Sequence, residues 1–179
     1  GGTVWTEWSK SRADARAEAF GDALIDAMDQ GSPAERRAAM AAIPTDGAQT
    51  ALLQLVMASD PDEDRAATLA ALEKVAADPS LPAVYRDLAV LRRALVGGAD
   101  LPLADRRSAL QAVAQPGRPY RTLAEELLAY LLVEEGKTDD AIAAMTALMQ
   151  DQEASPALRA RLGQMVTALG GALPEASAG

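Results

Sequence analysis

The chain has 179 residues, a formal net charge of −9 and neither Cys nor His. Without those two residue types it holds no disulfide, no thiolate or imidazole metal site and no Ser-His or Cys-His nucleophile system. The acidic balance argues against a nucleic-acid binder, which carries a basic footprint.

A chain of this length buries roughly 70% of the surface its unfolded form exposes, so a core needs no staples. Forty-one residues are Ala and 23 are Leu, against two Trp, three Tyr and one Phe. Ala and Leu are strong helix formers, and strand formers are sparse, which favours an all-α fold. The pairs Arg36-Arg37, Arg92-Arg93 and Arg106-Arg107 are scattered among acids and read as solvated helix faces.

The opening, "GGTVWTEWSK", holds both tryptophans, Trp5 and Trp8, three residues apart and so on one face of a helix. Such a pair packs as an apolar cap on the first hairpin, or sits at the headgroup level of a membrane, where Trp is favoured. No uncharged run in the chain is long enough to span a bilayer, and no secretory leader pattern is present. The reading takes residues 1–8 as the juxtamembrane remnant of an N-terminal anchor that precedes Gly1. The two glycines read equally as tag residues.

Turn signals then divide the chain into about nine helices. Residues 9–29 carry the stripe Ala13, Ala17, Phe20, Leu24 and Ala27. Ser32-Pro33 starts a second helix as cap and first residue, ending near Ile43-Pro44. A third follows over 47–58 with Leu52, Leu55 and Val56, and a fourth over 61–77 with Leu69, Leu72 and Val75. The fifth, from Pro82, carries Val84, Leu88, Leu91 and Leu95 until Gly97-Gly98. Four more are expected over 103–114, 119–135, 138–150 and 156–169, before Gly170-Gly171 and a frayed tail over 172–179.

Short connections make consecutive helices antiparallel neighbours. Pro82, Pro119 and Pro156 recur at intervals of 37 residues, each followed within four residues by an Arg (Arg86, Arg121, Arg159). The stripe of the fifth helix recurs as Leu158, Leu162, Met165 and Leu169. A period of this size marks a stacked array whose units cannot bury their faces alone.

Residues 124–151, "AEELLAYLLVEEGKTDDAIAAMTALMQD", resemble a tetratricopeptide repeat through Leu128-Ala129, Leu132, Gly136, Ala141, Met145 and Leu148. The other units fit less well: the second hairpin has no turn glycine, and Arg106-Arg107 replaces small residues in the third. The expected fold is all-α, a right-handed superhelix of four hairpins (9–43, 47–77, 82–114, 119–150) within a domain over 9–171. Residues 156–169 form its capping helix.

Three chemical motifs read as ordinary helix starts. Gly136-Lys137-Thr138 lacks the upstream glycine and preceding strand of a phosphate loop, so Thr138 is expected as an N-cap. "SDPDED" (59–64) lacks calcium-loop spacing, and Asp60-Pro61 reads as cap and first residue. Glu125-Glu126 and Glu134-Glu135 have no partner group for acid–base work. The chain is read as non-enzymatic, without cofactor or metal.

The layout as a whole resembles the ancillary subunit family of the bacterial Sec translocon, in its alphaproteobacterial branch. The segments that carry this are "TVWTEWSKSRADARAEAFGDAL", "SLPAVYRDLAVLRRAL", "QPGRPYRTLAEELLAYLLVEEGKTDDA" and "SPALRARLGQMVTALGG". The resemblance implies a bacterial inner-membrane protein with one N-terminal spanning helix and a repeat domain in the periplasm. Its implied partners are translocon subunits, a membrane-anchored periplasmic chaperone or unfolded substrate chains. A structural spacer or self-assembling subunit is the alternative reading.

Carrying the repeat family's groove positions onto residues 124–151 marks Glu126, Tyr130 and Glu134. The proline register moves the first two to Ala89 and Arg93, and Arg86 lies one turn earlier. An Arg beside a Tyr and a Glu would clamp a peptide and its carboxylates.

Overall fold

The structure, a computed structural model, describes residues 2–45, 47–57 and 65–174; within its helices the side chains of residues 2, 5–11, 13, 14, 55 and 57 fall outside the described set. The described residues form nine α-helices and no strand. They are α1 (Gly2–Met28), α2 (Pro33–Ala41), α3 (Ala48–Met57), α4 (Arg65–Ala76), α5 (Ala83–Gly97), α6 (Leu103–Val113), α7 (Arg121–Glu134), α8 (Thr138–Met149) and α9 (Pro156–Ala168). A 3₁₀ turn, Gly98–Asp100, follows α5. The all-α expectation holds. The start expected at Asp60-Pro61 lies outside the described residues.

The chain divides into two compact units, Gly1–Asp100 and Leu101–Gly179. The boundary falls between α5 and α6, which the repeat reading had paired as one hairpin.

In the first unit α1 begins at Gly2, well before the expected residue 9, so the segment that carries Trp5 and Trp8 belongs to one continuous helix with the core stripe. Ala17, Phe20, Leu24 and Ala27 of that stripe are all buried. Burial of one face, more than propensity, holds such a helix. The helix packs on α2 and reaches forward to α5, while α3 meets both α4 and α5, and α4 with α5 is the most extensive pair. Phe20 stands edge-on to Tyr85 of α5, with ring centroids 5.7 Å apart, a favoured aromatic geometry. Gln49 of α3 donates from Nε2 to the Tyr85 hydroxyl at 2.7 Å. Tyr85 therefore ties α1, α3 and α5 together.

Several helix ends follow the sequence signals. Ser32 caps α2, its Oγ accepting the Glu35 amide at 3.1 Å, and Pro33 takes the first position. Gly98 ends α5 with φ +47. Two expectations are corrected. Leu95, assigned to the buried stripe of α5, is 47% exposed, because that stripe ends with Leu91. Pro82 does not open α5 as its first residue but stands at the cap, where it offers no side-chain acceptor. Arg86 instead ties the chain just before the cap to the helix: its Nε donates to the Leu81 carbonyl at 3.1 Å. The same Leu-Pro-x-x-x-Arg device recurs at α6, where Pro102 is the cap and Arg106 Nε donates to the Leu101 carbonyl at 3.0 Å.

In the second unit the most extensive helix contacts run in succession, α6 on α7, α7 on α8 and α8 on α9, and α9 also reaches α7. The α7–α8 turn closes through Gly136 (φ +79): its amide bonds the Val133 carbonyl at 3.0 Å and the Lys137 amide bonds Leu132 at 2.9 Å. This pair of bonds is a Schellman ending, which needs a left-handed residue where only glycine is unstrained. Small Ala129 and Ala141 are buried at the helix crossing, beside Met145 and Leu148 of α8 and Leu158, Leu162 and Val166 of α9. Thr138 is not the cap of α8. It is the first helical residue, and Lys137 stands at the cap without a side-chain bond.

The three periodic prolines occupy different places: Pro82 at a cap, Pro119 one residue before the cap Tyr120, and Pro156 inside α9 behind the cap Ser155. Their even spacing is therefore not the spacing of the helices.

Candidate functional site

The expected groove residues fall in both units. In the first, Arg86 and Arg93 lie on α5, two turns apart. Arg86 spends its Nε on the Leu81 carbonyl. Arg93 faces Glu73 of α4 only at 3.9 Å, and its buried Nε makes no hydrogen bond. Ala89, the register equivalent of Glu126, is fully buried, so this turn of α5 is a packing surface.

In the second unit Glu126 and Tyr130 do come together, four residues apart on α7. The Tyr130 hydroxyl donates to Glu126 Oε2 at 2.8 Å. An arginine completes the trio, and it is Arg161 of α9, which donates from Nε to Oε2 at 3.1 Å and from Nη2 to Oε1 at 3.2 Å. Glu126 is only 7% exposed while Arg161 is 39% exposed. Burial first, and then the neighbouring Glu126 carboxylate, hold the Tyr130 phenol well above its ordinary value. The trio joins two helices and engages both oxygens of Glu126.

Glu134, the third groove position, is also engaged. Arg106 of α6 meets both its oxygens, Nη1 to Oε2 at 2.8 Å and Nη2 to Oε1 at 2.7 Å. This fork-to-fork pair holds the Glu134 carboxyl below its usual range and raises Arg106 above its own. The neighbouring Arg107 pairs with Glu135, which also meets Lys137 at 3.2 Å. Arg106 is itself buried. The residues that break the small-residue pattern are thus the ones that staple α6 to α7.

A fourth arginine organises the other end of α7. Arg121 Nη2 meets Asp151 at 2.8 Å and Glu153 at 2.6 Å, and Nη1 meets Glu125 at 3.0 Å. The amide of Glu153, first, and then Arg121 hold the Asp151 carboxyl below its usual range. Sequence reading noted Arg121 only as part of a proline register. Its signal is the acid four residues on, Glu125, at the spacing of helical ion pairs.

A concavity in the first unit lies elsewhere, along α1 and the α2–α3 link. This trough of about 380 Å³ is lined by Arg16, Ala19, Phe20, Ala23, Ile43, Pro44, Thr45 and Gln49. Its floor is apolar, and among its described lining residues Arg16 is the charged one. Trp5 and Trp8 belong to α1 by backbone, but their side chains lie outside the described residues. No described helix is long and apolar enough to cross a membrane. Among the described residues no group of acids is arranged to hold a metal ion.

No protein-family model, no curated protein and no solved structure matches this chain.

Proposed function

We propose that the chain is a non-enzymatic protein–protein interaction scaffold, tethered to the bacterial inner membrane and exposed to the periplasm, where it assists protein export at the Sec translocon. The observation that carries the scaffold is the α7–α8 hairpin with α9 laid against it. Its core of small and large residues is that of a stackable unit, Gly136 makes its turn, and arginine staples fix α6 and α9 to α7. Continuation of such hairpins as a right-handed superhelix would give an extended binding face. The role in export, with translocon subunits, a periplasmic chaperone or unfolded substrate chains as partners, rests on the resemblance of the sequence segments. Support for the tether is the unbroken run of α1 through Trp5 and Trp8, since Trp favours the headgroup level of a membrane.

Affinity purification of the full-length gene product from detergent-solubilised inner membranes tests this reading. Translocon subunits are expected to co-purify, and protease added to spheroplasts is expected to cut the helical domain. Absence of translocon subunits, or protection from the protease, overturns it. The exposed Leu173 just beyond α9 favours the second reading, a self-assembling spacer. Light scattering that shows a monomer at all concentrations removes that one.

A further inference from the structure

We infer that the trough along α1 and the α2–α3 link is a docking site for a short peptide segment that carries adjacent large apolar side chains followed by a carboxylate. A volume of about 380 Å³ lies at the small end of ligand-sized pockets. It suits one or two apolar anchors, which contribute most of the affinity at such surfaces.

The floor is preformed. Phe20 is fixed edge-on against Tyr85, and Gln49 is fixed by its bond to the Tyr85 hydroxyl. A rigid floor spares the occupant the cost of ordering it. With Nε2 committed to Tyr85, Gln49 keeps Oε1 as an acceptor for a peptide amide. Thr45 is likewise engaged, its hydroxyl 3.0 Å from that of Thr50.

Charge decides the polar end of the occupant. Arg16 is exposed and makes no ion pair with a described residue, whereas Arg106, Arg121 and Arg161 are all committed to carboxylates. At this trough an acidic segment is attracted by Arg16 and a basic one is repelled. The guanidinium thus sets both preference and orientation, as charge complementarity does at interfaces generally. This inference stands apart from the export role, since its test contains neither membrane nor translocon.

The test is fluorescence anisotropy with three labelled heptapeptides, Gly-Ser-Leu-Leu-X-Gly-Ser, where X is Glu, Gln or Lys. The intact chain is expected to bind the Glu peptide about tenfold more tightly than the Lys peptide, with Gln between. Arg16→Glu should invert that order, and Ala19→Trp, at an exposed lining position, should abolish binding with unchanged helicity. Arg16→Gln, which adds no bulk, should flatten the order even if the tryptophan variant fails to fold. Equal binding of all three peptides, no binding, or indifference to Arg16 overturns the assignment. So does light scattering in which these variants dissolve an oligomer, because the occupant is then a second copy.

Discussion

The two units are held by different means. In the first, distant helices meet: α1 reaches α5 across three intervening helices, and the junction is the aromatic and amide cluster of Phe20, Tyr85 and Gln49. Of the ion pairs described there, Arg65 with Asp100 lies at the surface and Arg93 meets Glu73 only at 3.9 Å. In the second, each helix meets the next, and buried or half-buried arginines tie α7 to α6, to the segment after α8 and to α9. The contrast teaches that a helix-rich, Ala-rich chain closes a core in two ways. An aromatic hub gathers helices that are far apart in sequence. Where aromatics are few, close-packed Ala crossings are locked in register by long, charged side chains whose stems cover apolar surface.

The largest expected effect tests whether the units are separate. Leu24→Ala and Leu162→Ala each empty a fully buried site and should cost about 2–5 kcal/mol. Hydrogen exchange on the intact chain should show lost protection confined to the unit that carries the substitution. Loss across both units would erase the comparison.

A smaller effect is expected at the glycines. A Cβ at Gly171 would stand 2.9 Å from side-chain atoms of both Ile142 and Val166, whereas Gly31 faces open space. Gly171→Ala should therefore destabilise the second unit by about 1–3 kcal/mol, and Gly31→Ala should change the first by less than about 0.5 kcal/mol, both read by denaturant titration.

Arg161→Met sharpens the electrostatic side. Among the described residues it leaves the buried Glu126 with Tyr130 as its side-chain partner. Because the guanidinium is 39% exposed, the cost should be about 1–2 kcal/mol, below that of breaking a fully buried pair. Arg93→Met, whose carboxylate partner lies 3.9 Å away, should stay within about 0.5 kcal/mol. Equal losses at the two sites would mean that the staples do not distinguish the units.

The smallest effects are those of pH. Asp151 and Glu134 titrate below their ordinary values of 3.8 and 4.5. A carboxyl with a depressed folded value contributes stability that is complete above its unfolded value and vanishes as pH falls through the folded one. In the first unit Asp78, held low by the Ser80 hydroxyl and amide, is the described counterpart. Acid titration below about pH 4 should therefore loosen the second unit more than the first. Tyr130, raised above its ordinary 10.0, gives the opposite limb: stability should fall as pH rises past 10, and Tyr130→Phe should remove that fall.

Much of this was legible beforehand. The stripes of α1 and α5 announced Phe20, Leu24, Val84 and Leu88 as core, since a helix must bury the side on which its apolar residues recur. Ser32-Pro33 announced a helix start through local cap chemistry, Pro156 announced another, and Gly136 and Gly98 announced two endings. These are short-range facts, settled within a turn or two of chain. Even there, Pro82 and Pro119 misplaced their helix starts by a residue or two, because proline is favoured at more than one position near an N-terminus.

The partnerships could not be read from local pattern. Glu126, Glu134 and Arg86 carried the marks of solvent-facing groove residues, yet each is engaged by a partner, and Glu126 is buried. Whether a charged side chain on a half-apolar helix faces water or bridges to a neighbour depends on what arrives from 28 to 35 residues away. The sequence by itself determined helices, their ends and the central apolar residues of most faces. Only the tertiary structure decided which helices meet, where the chain divides, and which arginine neutralises which acid, because pairing energies depend on distance and desolvation, which sequence spacing does not encode.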